Sequence, residues 1–557
     1  MSRTAEQEAS GGGLDLLPYA GRWVAMVKGR VAGVGSTAKE AYLSAKRSRP
    51  REEPEVVFVP AEIEAERLMT PFLQEIYDFL KGRCSKFYLV GGYVRDLLMG
   101  HPSRDIDFAV AGDAMKLARK VANRFGGFFV PLDEERHTAR AVFRDEEGEV
   151  SFVDLARLRG DGITADLALR DFTINAMAID LNDPSEFRLI DPYNGQGDLK
   201  AKTIRAVSDT AFKDDPLRAL RAVRLAAELG FHIEPKTEEL LRRDAHLITK
   251  VSAERVRDEL SKILAQPNAD RHLRQLDDLG LLGTIIPEVE RMKGVKQPKP
   301  HHLDVFAHSL ETVGRLEEVI EILKGERSAS PFLHPLSSVP YPLEAHLSQP
   351  TSGGRTRLIL LKLIALLHDV GKPLTKSIDQ DGCIHFYGHA EVGGRMAGDI
   401  LRRLRFSSNE VRLACTAVAH HMRPMRLAKQ ERITNGDVYR FFRDTSEAGI
   451  DILLLYLADH LATWGPNLRP ARWRRRVELV NLMLADYYQR REEVISPPKL
   501  LDGRDLMREF GLEEGPRIGE LLEAVREAQA EGKVKTKEEA LAYVKRVLRN
   551  RDGKGLP

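Results

Sequence analysis

Apolar residues alternate with polar or small ones through "GRWVAMVKGRVAGVG", residues 21–35, on both sides of Lys28 and Gly29. A period of two broken by a Lys-Gly pair predicts a β-hairpin. "STAKEAYLSAKRS" switches to helical spacing behind a serine or threonine N-cap, and "EVVFVP" returns to a strand. Residues 14–60 therefore read as a small ββαβ module. It carries no motif with a chemistry of its own and reads as an accessory or docking element. Residues 1–13, polar and glycine-rich, are expected to be disordered.

Between residues 61 and 204 short apolar runs interleave with helical ones. "KFYLVGG", "DIDFAVAG", "GFFVPLD", "TARAVFRD" and "EVSFVDLAR" read as strands. "YVRDLLMG" and "DAMKLARKVANRFGG" read as helices, and "ADLALRDFTINAMAIDL" as mostly helical. Such interleaving predicts an α/β or α+β domain. From residue 205 the period is helical almost throughout. "DPLRALRAVRLAAELGF" is an amphipathic helix ending at Gly230, and "SAERVRDELSKIL" opens on an N-cap at Ser252. Residues 205–295 read as a helical neck and body, 296–465 as a further helical domain, and 466–557 as a helical tail. The stretch 325–356, rich in Pro, Ser and Gly, reads as a long loop inserted between helices. The fold class is multidomain, α/β followed by all-α.

Size and charge narrow the functional classes. A chain of 557 residues is too long for one core. Its net charge of +2 gives no global basic field, so any nucleic-acid contact must come from local patches. Cys84, Cys383 and Cys415 are far apart, which predicts a reducing compartment and no disulfide framework. The N-terminus has no apolar signal region, and no apolar run reaches the ~18 residues of a membrane span. A cytoplasmic protein without membrane contact is expected, and its oligomeric state is open.

The first chemical constellation is "GGYVRDLLMGHPSRDIDFAV", residues 91–110. Asp105 and Asp107 lie two apart on a strand, so both carboxylates share one face. Paired carboxylates form a hard oxygen site suited to Mg²⁺, the ion that activates a hydroxyl and steadies a leaving phosphate. Gly91 and Gly92 at the preceding strand end permit close approach of backbone N–H groups to phosphate, and Arg95 lies one turn further on. Either the Asp-x-Asp pair or the Gly-Gly turn is commonplace alone; together, in this order, they point to nucleotidyl transfer.

This stretch resembles the catalytic core of class II tRNA nucleotidyltransferases, the CCA-adding enzymes, and of bacterial poly(A) polymerases. "LRDFTINAMA" is similar to the family's RRDFTINA motif, with Leu169 in place of the first arginine; "DDPLRALRAVRLAAELGF" is similar to its neck helix. The resemblance covers about residues 62–290 and implies a polymerase-β-like head. On it, Arg170 and Asn175 contact the nucleotide. Asp215 and Arg218 read the incoming base, and Arg221 and Arg224 hold phosphates. Asp154 is either a third carboxylate or a strand-end aspartate in an ion pair. The implied partners are a tRNA 3′ end, CTP and ATP. Only "LRGDGITADLAL" lies between Arg157 and Arg170, shorter than in enzymes that add the whole CCA triplet, so CC addition and CCA addition both stand. Poly(A) polymerase is an alternative.

Eleven of the 16 histidines fall between residues 301 and 460. The order H…HD…H…HH…D, in "DVFAHSLETV", "LIALLHDVGKP", "FYGHAEVGGRMA", "VAHHMRP" and "LADHLA", resembles the HD phosphohydrolase superfamily. The resemblance implies one metal on His308, His368, Asp369 and Asp459. A second would sit on His389 and either His420 or His421, with Asp369 bridging. Mixed nitrogen and oxygen ligands suit Mn, Ni, Co, Fe or Zn better than Mg²⁺. Lys372 is a candidate phosphate contact, and His301, His302 and His460 read as bystanders. The site is expected to hydrolyse phosphoesters at RNA ends. Arginines 469, 472, 474, 475 and 476 around Trp473, and Lys293, Lys296 and Lys299, are candidate RNA patches. A rival reading of another class is an HD phosphohydrolase whose head only binds nucleotides.

Overall fold

The computed structural model describes residues 16–35, 37–59, 61–63, 69–101, 103–145, 148–183, 187–324 and 341–552. The expected disorder of residues 1–13 lies outside them. The chain divides into two compact units at Lys250 and Val251, inside the stretch 205–295 that the periodicity joins into one neck and body.

In the first unit, strands β1 (Arg22–Val27), β2 (Arg30–Gly35) and β3 (Glu55–Val59) form an antiparallel sheet of order β2-β1-β3. Lys28 and Gly29 both take positive φ, as a two-residue hairpin turn of matching twist demands. Thr37 caps the helix Ala38–Ser48 through a bond from the Glu40 N–H. That helix lies so close that a Cβ on Gly33 would fall 2.3 Å from the Ala45 nitrogen. The expected ββαβ module is therefore present. Strand β4 (Ala61–Ile63) continues from it into a second sheet, and Trp23 donates its indole N–H to the Pro192 carbonyl.

The second sheet has eight strands in the order β4-β11-β10-β5-β6-β9-β8-β7. These are β5 (Phe87–Val90), β6 (Asp105–Val110), β7 (Phe128–Asp133), β8 (Thr138–Arg144), β9 (Val150–Arg157), β10 (Ala178–Asp180) and β11 (Phe187–Ile190). Every pairing is antiparallel except β6 with β9. One face packs on the helices Pro71–Leu80 and Ala114–Arg124, whose Leu73, Ile76, Leu117 and Val121 are buried. The sequence reading of "ADLALRDFTINAMAIDL" as mostly helical is corrected. Only Ile163–Ala168 is α-helical; a 3₁₀ turn, Thr173–Asn175, and strand β10 follow. The apolar run Ala176–Ile179 is buried on all sides, and helix and strand share that pattern.

The second unit is almost wholly helical, as expected, apart from a short hairpin, Lys376–Ile378 with Ile384–Phe386. The part of 325–356 that is described is not simply loop: it contains the helix Leu343–Leu347 and a bridge between Pro350 and Thr356. Ser252 occupies the N-cap of helix Ala253–Ala265, but its hydroxyl makes no capping bond. Arg355 and Glu410 form a buried pair, with Nε–Oε1 of 2.9 Å and Nη2–Oε2 of 3.0 Å, and Glu410 also closes a capping box with Ser407. Removing one partner strands the other in the interior. Glu410→Ala should destabilise this unit by about 3 kcal/mol, seen as a downward shift of its transition in a thermal melt.

Candidate active sites

Strand β5 is buried along its whole length and stops at Val90, after which the chain turns sharply into helix Gly91–Leu98. Gly91 has φ of +71°, and a Cβ there would meet Arg170 Nη1 at 3.0 Å and Asp107 Oδ2 at 3.1 Å. The backbone favours glycine here, and a Cβ would press on both of these side chains. No side chain caps this helix, and the Tyr93 N–H instead donates to the Asp107 carboxylate. Arg95 Nη1 donates to Asn175 Oδ1 at 3.0 Å. The structure thus brings Gly91, Gly92, Arg95, Arg170, Asn175 and Asp107 into one neighbourhood from segments 80 residues apart.

The single parallel pairing sets Asp107 opposite Asp154, and Arg140 on β8 lies opposite Asp154 in turn. Arg140 grips Asp154 at 2.7 and 2.8 Å, so this carboxylate is ion-paired while standing beside the Asp105–Asp107 face. Burial, then repulsion from Asp154 and Asp105, pushes Asp107 up to about 6 despite Arg170. Asp105 is also raised, chiefly by burial. Crowded oxygen ligands with insufficient fixed positive charge are the donor set a divalent cation fits, and Mg²⁺ takes one or two carboxylates plus substrate phosphates. Asp105 and Asp107 would hold it. When bound, it would polarise the attacking hydroxyl and neutralise phosphate charge.

The arginines have specific local partners. Arg170 donates through Nε and Nη2 to Asp166 Oδ2 at 3.2 and 3.1 Å, and Arg159 Nε donates to Asp166 Oδ1 at 2.8 Å. Arg218 Nη2 donates to the Leu169 carbonyl at 2.6 Å, and Asp215 accepts from the Leu217 N–H. Arg221 is committed to buried Asp171 at 2.6 and 2.9 Å, and Arg224 pairs with Glu228. Burial would raise Asp171, but Arg221 holds it well below the usual carboxylate range. Arg221 and Arg224, which the resemblance gives to phosphate, are thus each paired with a carboxylate here. Sequence reasoning missed Arg140, Arg159, Asp166 and Asp171; the last three had a signal in the charges in and just before "RDFTINA", and Arg140, on a separate strand, had none.

In the second unit the candidate metal ligands assemble from five separate helices or their ends. His308 comes from Val305–Lys324, His368 and Asp369 from the end of Arg357–Leu367, His389 from His389–Arg403, and Asp459 from Gly449–Trp464. His421 follows Ser408–His420. Two groups result, His308, His368 and Asp459, and Asp369, His389 and His421, each with ligand atoms within 4.8 Å of one another. Asp369 spans both: Oδ2 lies 3.2 Å from His368 Nε2, and Oδ1 lies 3.6 Å from His389 Nε2 and 3.8 Å from His421 Nε2. His420 is corrected. It is half-buried and belongs to neither group, because the helix turn carries its ring away from His421.

These residues fit metal. Nδ1 of His368, His389 and His421 is bonded to the carbonyls of Ala365, Phe386 and Val418 at 2.7–2.8 Å, which orients each Nε2 inward. The Nε2 atoms of His308, His368 and His389 are buried without a hydrogen-bond partner among the described residues. His308 Nε2 is 3.0 Å from Asp459 Oδ1 but not in bonding alignment. Burial and the charge of His368 push His421 down to about 3, leaving a neutral imidazole. Burial also lowers His308 and His389. Burial pulls His368 down as well, yet Asp369 and Asp459 outweigh it and raise the group. Lys372 Nζ donates to Asp369 Oδ2 at 2.5 Å and to Gln297. His301 and His460, read as bystanders, line the cavity beside the cluster.

Residues 87–205 match the Poly A polymerase head domain, 230–293 the probable RNA and SrmB-binding site of polymerase A, and 305–464 the HD domain. Residues 470–544 match tRNA nucleotidyltransferase domain 2 (putative), and 17–62 a family of unknown function. The chain is 37% identical to an A-adding tRNA nucleotidyltransferase of Deinococcus radiodurans, over 82% of this chain and 94% of that one. It is 35% identical to a CC-adding tRNA nucleotidyltransferase of Thermus thermophilus, over 82% and 92%. Its fold is similar to that of a Thermotoga maritima CCA-adding enzyme complexed with tRNA, with a TM-score of 0.55 at 24% identity, covering 87% of this chain and 97% of that one. No described helix is long and apolar enough to cross a membrane.

The bridging position of Asp369 sets a stoichiometric test. Asp369→Asn should lose both metal ions by plasma mass spectrometry, His421→Ala should lose one, and His420→Ala should retain both.

Proposed function

Because the chain belongs to the tRNA nucleotidyltransferase family, we propose that it extends tRNA 3′ ends without a nucleic-acid template, using CTP or ATP. The observation that carries this reading is the gathering of Gly91, Arg95, Arg170 and Asn175 around the raised carboxylate of Asp107. Asp105 and Asp107 are the catalytic ligands, and Mg²⁺ is the ion their oxygen chemistry favours. The terminal hydroxyl oxygen bonds to the α-phosphorus while the bond to the β-phosphate breaks and pyrophosphate leaves. Gly91, Gly92, Arg95 and Arg170 steady the triphosphate. Asp215 and Arg218 supply an acceptor and donors for a base bearing an exocyclic amine, which cytosine and adenine have and uracil lacks. The three scattered cysteines support a reducing, cytoplasmic setting for this work.

The short segment between Arg157 and Arg170 favours addition of part of the triplet, while the relatives' names include A-adding, CC-adding and multifunctional CCA proteins. A second activity is favoured by the two ligand groups sharing Asp369: hydrolysis of phosphoesters at RNA ends. Mn, Ni, Co, Fe or Zn suits its nitrogen-rich ligands. Such ions, when bound, would activate water for attack on phosphorus.

The deciding assay supplies tRNA ending before C, after C and after CC, with CTP or ATP separately. A one- or two-nucleotide limit identifies an A- or CC-adding enzyme, and three identifies a CCA-adding one. Long A tails on unrelated RNA would point to poly(A) polymerase. Asp105→Ala and Asp107→Ala should each reduce incorporation by a factor on the order of 10³ or more, since each removes a metal ligand.

A further inference from the structure

The metal ligands of the second unit open on a cavity of about 440 Å³. Asp369, His389, His421 and Asp459 line it together with Tyr456 and His460, which share helix Gly449–Trp464 with Asp459, and Arg476 of helix Pro470–Gln489. Three polar atoms there have no hydrogen-bond partner among the described residues: Tyr456 Oη, His460 Nε2 and Arg476 Nε. Tyr456 and His460 are only 3% and 5% exposed, so water from bulk does not satisfy them freely. Buried polar groups are almost always bonded, and three orphans on residues that line one cavity mark a place where a ligand completes the set. Arg476 comes from the arginine run around Trp473. Trp473 itself is fully buried and stacks on His460, so that run is not a uniform solvated face.

We propose that Tyr456, His460 and Arg476 bind the nucleoside part of a phosphoester whose phosphate faces the candidate metal ligands of the same cavity. The proposal rests on the reading of this unit as a phosphohydrolase and adds what that site recognises. The volume exceeds what a phosphate needs and falls within the range of small-molecule pockets. Phe386 and Trp464 offer flat apolar surfaces on the lining, and aromatic faces stack on any base. The orphan set mixes a hydroxyl that donates or accepts, an imidazole nitrogen and a guanidinium N–H. That mixture fits the edge of a base or ribose better than a second phosphate, which would call for several cations.

The test uses the full chain loaded with Mn²⁺ and two substrates, adenosine 2′,3′-cyclic monophosphate and base-free glycerol 2-phosphate. Arg476→Met and Tyr456→Phe should raise KM for the nucleotide roughly tenfold, the loss expected for a buried bond to a charged or polar partner, with kcat little changed. Kinetics on glycerol 2-phosphate, metal content and tRNA extension should stay as in the wild type. An unchanged nucleotide KM, or equal losses on both substrates, overturns the proposal. Equilibrium dialysis of adenosine 2′-monophosphate separates binding from turnover. Binding that weakens in Arg476→Met without any wild-type hydrolysis upholds the pocket and removes only the hydrolase reading; no wild-type binding overturns the pocket. Competition by a short RNA with a 2′,3′-cyclic end distinguishes sources. Stronger competition than the mononucleotide's makes the ligand an RNA terminus, and weaker makes it a free nucleotide.

Discussion

Carboxylates that leave water must be compensated, and the way each is compensated distinguishes structural from chemical positions here. Asp171 is neutralised by Arg221, Asp166 by Arg159 and Arg170, and Glu410 by Arg355. These pairs are complete, and they brace the segments that carry them. Asp107 is different. It has one backbone donor and the charge of Arg170, which is itself bonded to Asp166, against burial and two neighbouring carboxylates, so it is raised where the paired ones are lowered. A protein surface that tolerates this imbalance is prepared for a cation to arrive with substrate.

The second unit solves the same problem with nitrogen. Asp369 is fully buried, and burial alone would raise it, but His368 and Lys372 hold it well below the usual range. Its two oxygens face different ligand groups. Backbone carbonyls fix the far side of three imidazoles, so their inward nitrogens are presented without a conformational search. Oxygen-only candidate ligands in one unit and imidazole-rich ones in the other would separate the metal preferences of the two sites by ligand chemistry.

Cavity and ligand cluster in the second unit also explain why histidines read as bystanders are not peripheral. His460 follows a ligand, Asp459, on the same helix, and successive helical side chains normally diverge by about 100°. Here that divergence places Asp459 toward the metal side and His460 against Trp473. Spacing alone separates a ligand from its neighbour but does not reveal that both border one cavity.

Local pattern determined much of this protein. The hairpin at Lys28–Gly29, the Asp-x-Asp pair on one strand face and the helix ending at Gly230 follow from side-chain period and glycine's conformational freedom, which act over a few residues. The ligand types of both sites were legible for the same reason. Tertiary structure alone decided the rest. The parallel pairing of β6 with β9 set Asp154 beside Asp107, and a run buried on every side became strand β10 rather than helix. The end of a helix chose His421 over His420. Arg221 went to Asp171, 50 residues away, and Arg476 to a cavity wall. Each of these is a choice among chemically equivalent side chains, made by which partner lies within reach after folding, and no local pattern encodes that distance.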